Sequence, residues 1–308
     1  MLEQLFTRLK TAAGRALIIF IYRSRVNIWL GRIVYKNYNG FIANAVGLYC
    51  WSRDARASKS NGLAVKDSIE ADALRKDGFL FLKNKSDLAV ITEISRQWSQ
   101  YANMQQMPHS GRLELSSADR SKVADKFIPL LDKLITAEVD QTLEAFFQSH
   151  YRIVNFHLYR NRMPERISSS DAFGATGSWH TDASTCDSLK LFFLLSDVTP
   201  KNGPMEVMNR QETQKLYRAG AFYFPDNEGR THNYAVANCK VQSLQGPAGS
   251  SYYALTNEVL HRATIPKRNE HRDLLVFYII AAPHKQPTRQ QLLKAVHREI
   301  VGFKRFLL

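Results

Sequence analysis

The stretch Gly177-Ser-Trp-His-Thr-Asp182 decides the fold of this chain, because it places a histidine and a carboxylate two positions apart. In a β-strand, residues i and i+2 project to the same side, so His180 and Asp182 are predicted to point together. A second histidine ends the stretch Tyr252-Tyr-Ala-Leu-Thr-Asn-Glu-Val-Leu-His261, whose aromatic and apolar residues favour a strand. Two imidazoles and one carboxylate can occupy one face of an Fe(II) ion and leave the other face open for a cosubstrate and O2. His180, Asp182 and His261 are therefore the predicted metal ligands.

An arginine begins the next apolar run, Arg272-Asp-Leu-Leu-Val-Phe-Tyr-Ile-Ile280, which is apolar enough to be a buried strand. A guanidinium at the start of such a strand is costly unless it is paired, and its fork fits a carboxylate with two hydrogen bonds. The distal carboxylate of 2-oxoglutarate would satisfy it. The alternative is an ion pair of Arg272 with Asp273 or Glu258.

Together with these residues, four further stretches resemble the phytanoyl-CoA dioxygenase-like family of Fe(II)/2-oxoglutarate oxygenases. They are Leu74-Arg-Lys-Asp-Gly-Phe-Leu-Phe-Leu82, Trp179-His-Thr-Asp182, the run from Leu191 to Gly203-Pro204, and Gly246-Pro-Ala-Gly249. His261 and Arg272 follow at the separation usual in that family. The resemblance extends from Leu74 to about Pro283.

The resemblance implies a mainly β fold, a double-stranded β-helix (jelly roll, cupin-like) with helices packed outside. It implies a dioxygenase that uses Fe(II), 2-oxoglutarate and O2 to hydroxylate an unactivated C–H bond. Relatives that halogenate have a small residue in place of the carboxylate, so Asp182 favours hydroxylation. The family often follows Gly-Pro with a strand that ends in Pro-Gly-Ser-His, whereas this chain has Met205-Glu-Val-Met-Asn-Arg210. Because that loop usually borders the substrate, the resemblance does not indicate which substrate this protein binds.

Three further residues are candidates for holding the cosubstrate. Lys190 has a suitable charge on the strand predicted after Asp182, and a solvated lysine is the alternative. Asn155 and Thr256 are candidates by location alone.

Three other residues are candidates for contact with the substrate. Trp179 flanks the first metal ligand, where ordinary packing is the alternative. Arg160 and Arg162 follow an alternating apolar stretch and could face an anion, and solvated loop charges are the favoured interpretation.

The composition indicates one elaborated catalytic domain. The chain has 308 residues and is 44% hydrophobic, which is enough to bury a large core. Its three cysteines are scattered and contain no Cys-x-x-Cys pair, so neither a disulfide framework nor a zinc site is predicted. A reducing, intracellular and cytoplasmic location fits both this pattern and Fe(II).

The N-terminal region is basic: 42 lysines and arginines against 28 acidic residues give the chain a net charge of +14, and Glu3 is the only acidic residue in its first fifty. Residues 1–60 are predicted as a basic amphipathic region and linker, with the linker at Ser52 to Asn61, and residues 61–308 as the oxygenase domain. The N-terminal region either contacts an anionic membrane surface peripherally or packs on the barrel as helices. The β-helix core is expected at about 151–283 and a C-terminal helix at about 288–308.

Two other function classes compete with the oxygenase. The positive charge suggests nucleic acid as a partner, but demethylases of alkylated bases have a second arginine six residues after the cosubstrate arginine, where this chain has Tyr278. A cupin-like isomerase or non-catalytic metal-binding protein at a membrane surface is the runner-up, and it would have little need for Arg272. The basic charge favours an anionic small-molecule or lipid-linked substrate.

Overall fold

The computed structural model describes residues 41–82, 86–115, 117–164, 177–182, 188–219, 235 and 237–296. Its helices are α1 (Phe41–Ser60), α2 (Ile69–Asp77), α3 (Leu88–Asn103), α4 (Ser117–Lys133), α5 (Ala137–Phe147), α6 (Arg210–Arg218) and α7 (Thr288–Val296). Its strands are β1 (Phe79–Leu82), β2 (Arg112–Glu114), β3 (His150–Arg162), β4 (Ser188–Leu194), β5 (Met205–Val207), β6 (Gln242–Leu244), β7 (Ser251–Ala254), β8 (His261–Ala263) and β9 (His271–Ala282).

The strands form two facing antiparallel sheets. Among the described residues, a six-stranded sheet has the order β1-β7-β4-β9-β3-β2, and a three-stranded sheet has the order β6-β5-β8. This arrangement, with helices packed outside, is the predicted double-stranded β-helix. Strands β1 and β2 precede the core predicted to start near residue 151, so the large sheet draws on earlier parts of the chain.

The large sheet is buried on both faces, and the strand period of two separates them. Leu275 and Phe277 of β9 face the helices and pack in the larger hydrophobic core. Leu274 and Val276 face the small sheet and belong to a second core between the sheets. Alternate residues along each strand therefore face the barrel interior, and the residues between them face the helices.

Local signals explain where the outer helices begin and end. Asp87 begins α3 by accepting hydrogen bonds from the backbone N–H groups of Ala89 and Val90. Gly78 ends α2 with φ of 81°, in the left-handed region that favours glycine. A side chain at Gly78 would also collide with Val259, so this glycine lets α2 turn directly into β1.

Four secondary-structure predictions need correction or limits. The predicted linker at Ser52 to Asn61 is helical up to Ser60, and Ser58 is buried with its hydroxyl donating to the Ala282 carbonyl at 2.9 Å. The predicted strand 252–261 is interrupted, because the chain turns after Leu255, whose carbonyl accepts from the N–H groups of Glu258 and Val259, and it becomes a strand again only at His261. The amphipathic pattern of Ser121 to Ser149 predicts one longer helical region, which the structure divides into two helices, α4 and α5. The C-terminal helix is described as far as Val296.

The predicted membrane-contacting segment is residues 1–50, of which residues 1–40 lie outside the described residues and residues 41–50 belong to α1. None of the helices in the described part of the chain has the length and apolar character that spanning a bilayer requires.

Candidate metal centre and active site

The backbone brings the two histidines together at the edge of the small sheet. His180 and His261 form an antiparallel bridge, with N–O distances of 3.1 and 3.0 Å, and the Asp182 amide donates to the Thr256 carbonyl at 2.7 Å. The segment that contains His180 and Asp182 is thus extended and paired, although it is a bridge rather than the predicted strand.

The donor atoms of the three side chains converge on one point. The Nε2 atom of His180 lies 3.8 Å from one oxygen of Asp182, and the Nε2 atom of His261 lies 3.8 Å from the other. One ligand atom from each residue lies within 4.8 Å of the others. This spacing allows one ion to contact all three donors.

Hydrogen bonds to the backbone orient both imidazoles for metal binding. Nδ1 of His180 lies 2.7 Å from the Ser178 carbonyl, and Nδ1 of His261 lies 3.1 Å from the Val259 carbonyl. A carbonyl can only accept, so each neutral ring carries its proton on Nδ1. The Nε2 lone pairs are then free to bind a metal, as in histidine metal sites whose other ring nitrogen is held by the protein.

The electrostatics keep the ligands in the protonation states that a metal needs. Burial lowers the pKa of His261 to about 3, and it also lowers the pKa of His180. Burial alone would raise the pKa of Asp182, but the Lys190 ammonium, 2.5 Å from its Oδ2, and the neighbouring His261 and His180 together outweigh that effect and hold the pKa below its ordinary value. The site therefore presents two neutral imidazoles and one carboxylate at neutral pH.

We expect the stability of the metal-free protein to fall as the pH drops below about 6.5, the ordinary histidine pKa. The folded pKa of His261 lies below that value, so the unfolded chain takes up the proton first. The free energy of unfolding then decreases by up to about 1.4 kcal/mol per pH unit for such a histidine. Urea unfolding between pH 7 and 4 should show a shallower dependence for His261→Gln than for the unsubstituted protein. The exposed His284→Gln is the control, and equal slopes for all three proteins would contradict the prediction.

Arg272 reaches the same cavity from β9. It is 2% exposed, and its Nε and Nη1 atoms have no hydrogen-bond partner. The two carboxylates that were the alternative partners of Arg272 pair with other arginines: Asp273 pairs with Arg160, and Glu258 pairs with Arg210. Burial lowers the pKa of Arg272 to about 10, so it is still charged at neutral pH. Among the described residues, these two buried donors beside the candidate metal centre have no partner, and a charged guanidinium with free donors is the chemical complement of a carboxylate ligand.

Lys190 also lines the cavity. Its ammonium pairs with Asp182 and lies 4.6 Å from the centroid of the Tyr278 ring. The structure thus brings together His180, Asp182, His261, Arg272 and Lys190, in a cavity of about 150 Å³ between the two sheets.

The structure places both other cosubstrate candidates outside this cavity. Asn155 is fully buried, where its side chain bonds Arg120 and lies 2.8 Å from Nε2 of His157. Thr256 supports the site only through its backbone carbonyl, which accepts from Asp182. Neither is among the residues that line the cavity.

The substrate candidates Trp179, Arg160 and Arg162 also lie elsewhere. Trp179 is buried in a small apolar cluster, and the guanidinium of Arg262 lies 5.0 Å from its ring centroid. Its side chain therefore packs in the protein core. Arg160 is neither a substrate contact nor a solvated charge, because it projects to the helix face and is buried against Asp273. Arg162 is exposed at the end of β3, which agrees with the solvated interpretation.

Several cavity residues were not predicted from the sequence. Arg112, Tyr159 and Asn161 line the wall formed by β2 and β3, and Tyr252 lines the opposite side. No local signal marks Arg112, because it reaches the site only through the long-range pairing of β2 with β3.

Comparisons with known proteins identify relatives of the fold. No family model matches the sequence, and a search of curated proteins found no match. The solved structure of EctD from S. alaskensis with bound Fe is 15% identical, with a TM-score of 0.50, and the match covers 78% of this chain and 87% of that one. EctD from S. alaskensis with 2-oxoglutarate and 5-hydroxyectoine is 14% identical, with a TM-score of 0.50 and coverage of 71% and 78%. At these identities the likeness shows the fold alone, so membership in the phytanoyl-CoA dioxygenase-like family stays a prediction.

Proposed function

We propose that the protein is an Fe(II)- and 2-oxoglutarate-dependent dioxygenase that hydroxylates a C–H bond of an anionic small-molecule or lipid-linked substrate. The observation that carries the proposal is the placement of an unpaired, buried Arg272 in the same cavity as the His180, Asp182 and His261 donors. The EctD structures, which share the fold, were solved with bound Fe and with 2-oxoglutarate, and this agrees with the proposal.

The donor set fits ferrous iron. His180 and His261 present unprotonated Nε2 atoms and Asp182 supplies the negative charge, which is the two-histidine, one-carboxylate set of non-heme Fe(II) oxygenases. When bound, the iron and 2-oxoglutarate supply the O2-dependent oxidation of the C–H bond. The protein's own task is to hold these groups in place and to limit access of water.

Arg272 is the residue that would hold the distal carboxylate of 2-oxoglutarate. Its guanidinium has Nε and Nη1 donors available and is fixed in a buried position on a long strand. Lys190 adds positive charge between Asp182 and Tyr278, where it would favour a bound dianion. Asp182 occupies the position that is a small residue in halogenating relatives, so the proposed reaction is hydroxylation.

The test of this function is anaerobic addition of Fe(II) and 2-oxoglutarate to the purified protein. The expected result is the visible metal-to-ligand charge-transfer band, followed on admission of O2 by slow formation of succinate without substrate. Well-folded protein that shows neither the band nor succinate would contradict the proposal. Iron binding without any succinate would favour the non-catalytic or isomerase-type cupin-like protein.

We expect Arg272→Met to weaken 2-oxoglutarate binding about 10- to 100-fold, since a hydrogen bond to a charged group contributes about 1.5–3 kcal/mol. The same change should stabilise the metal-free protein by about 1–3 kcal/mol, because it removes buried donors that have no partner. The charge-transfer titration measures the first effect and urea unfolding the second. The exposed Arg289→Met is the matched control, and unchanged 2-oxoglutarate affinity in Arg272→Met would remove Arg272 from the site.

A nucleic-acid demethylase is disfavoured by the residue at position 278. Tyr278 stands where those enzymes have a second arginine, and its ring packs against Lys190 and His157. Demethylation together with salt-dependent binding to DNA or RNA would reverse this ranking.

Peripheral contact of the N-terminal region with an anionic membrane is a separate proposal, supported by its basic composition. Co-sedimentation with anionic liposomes should be weaker for a variant that lacks residues 1–40, which retains helix α1. Equal binding by the two proteins would remove the idea.

A further inference from the structure

Arg112 stands in one row with Asn161 and Arg272 across the large sheet. Arg112 pairs with Asn161 between β2 and β3, and Asn161 pairs with Arg272 between β3 and β9. Directly opposite residues of antiparallel strands project to the same face, and all three line the cavity. The row therefore puts two guanidinium groups and one amide on the cavity wall.

Arg112 is a cation for which the described part of the chain supplies no carboxylate partner. Its guanidinium lies 4.0 Å from the centroid of the Tyr159 ring, a cation–π contact that fixes its position without neutralising it. The carboxylate two residues further along β2, Glu114, is instead hydrogen-bonded to Nδ1 of His157. The Asn161 side chain makes no hydrogen bond with any described residue either, so its amide is available to a ligand.

Two other cations of the cavity each have a carboxylate partner in the protein. Lys190 pairs with Asp182 at 2.5 Å, and Arg262 pairs with Glu206 at 2.7 Å. Arg272 and Arg112 are the cavity cations for which no carboxylate partner is found among the described residues. Burial is the main cause of the lowered pKa of Arg272, and the positive charge of Arg112 lowers it further. Two like charges in one cavity call for two anionic groups.

The two arginines act on different sides of the cavity. Their strands are separated by β3, which puts their backbones two interstrand spacings, about 10 Å, apart. Arg112 leans over Tyr159 of β3, whereas Arg272 interacts electrostatically with Tyr252 of β7. A cosubstrate whose distal carboxylate is held at Arg272 and whose other end is at the metal leaves Arg112 unmatched.

We propose that Arg112, assisted by Asn161, binds a carboxylate or phosphate group of the substrate and so selects for organic anions. This inference rests on the proposed function and deepens it by naming the residue that recognises the substrate. The guanidinium fork suits both anion types with paired hydrogen bonds. Arg112 is a specificity residue here and takes no part in metal binding.

The experiment uses the full chain loaded with Mn(II), a redox-inert substitute for Fe(II), and saturated with 2-oxoglutarate. Inorganic phosphate and acetate are the two probes, and their binding is read from the paramagnetic relaxation of the phosphorus and carbon nuclei by the bound Mn(II). We expect saturable relaxation in the unsubstituted protein and at least about tenfold weaker probe binding in Arg112→Met, because a charge-assisted pair is lost. The probe that binds more tightly identifies the substrate anion as phosphate or carboxylate.

Matched variants separate direct contact from a general effect of charge. Arg162→Met removes the same charge from the exposed end of β3 and should bind the probes as the unsubstituted protein does. Arg112→Lys keeps the charge without the fork and should give an intermediate affinity.

Three results would overturn the inference. One is the absence of saturable probe binding in the unsubstituted protein. Another is an Arg112→Met variant that binds the probes normally but binds 2-oxoglutarate at least about tenfold more weakly, which would make Arg112 a second clamp for the cosubstrate. The third is failure of the unsubstituted protein to bind Mn(II) or 2-oxoglutarate before any probe is added, which would overturn the proposed function itself.

Discussion

Replacing Asp182 with asparagine is expected to weaken Fe(II) binding at least about 100-fold, because changes to groups that merely support metal ligands already cost about 10- to 100-fold. The change preserves the shape of the side chain but removes the only anionic donor of the triad. It also leaves the Lys190 ammonium, now 2.5 Å from that carboxylate, without its counter-charge beside the metal position. Both effects disfavour a divalent cation.

Anaerobic calorimetric titration with Fe(II) measures this effect, and Mn(II) provides a second, oxidation-resistant titrant. The control is Asp125→Asn, which removes the same charge from an exposed position on α4. An Asp182→Asn protein that stays folded and binds iron as tightly as the control would show that the metal site is elsewhere.

We expect Asp273→Ala to lower the free energy of unfolding by about 3–5 kcal/mol, the usual cost of leaving one partner of a buried ion pair alone. Asp273 and Arg160 are almost fully buried and joined by two hydrogen bonds of 2.8 and 2.7 Å. Asn103 and Ser99 hold the rest of the guanidinium, but they carry no charge to balance it.

A double replacement distinguishes the ion pair from simple loss of packing. Arg160→Met combined with Asp273→Leu removes both charges and fills the space, so much of the lost stability should return. Glu93→Ala, which breaks an exposed pair with Arg96 on α3, is the control and should change the free energy of unfolding far less. Urea unfolding of the metal-free proteins measures all three, and a loss for Asp273→Ala no larger than that of Glu93→Ala would contradict the prediction.

These two adjacent residues of β9 illustrate the limit of sequence interpretation at this site. Arg272 faces the cavity and Asp273 faces the helices, although the sequence allowed them to pair with each other. Strands β3 and β9 are buried on both faces, so the pattern of apolar and polar residues along them does not distinguish the face toward the cavity from the face toward the helices. Arg160 was assigned to the wrong environment for that reason.

The interruption of a predicted strand also could not be predicted from the sequence. The stretch 252–261 has the composition of one strand, yet it turns after Leu255, and the Thr256 carbonyl in this turn accepts from the Asp182 amide. That bond joins residues that are far apart in the chain, and local propensity contains no information about such a partner.

The sequence by itself determined the chemistry of the candidate centre. The spacing of His180 and Asp182, the later His261 and the charged start of the last long strand are local facts, and their side-chain types limit which ligands can bind. The tertiary structure alone decided that Nε and Nη1 of Arg272 have no hydrogen-bond partner among the described residues, that Arg160 is neutralised on the opposite face, and that Arg112 joins the cavity. Those outcomes depend on strand register and on which face of a doubly buried sheet each residue occupies, and register is set by contacts between distant segments.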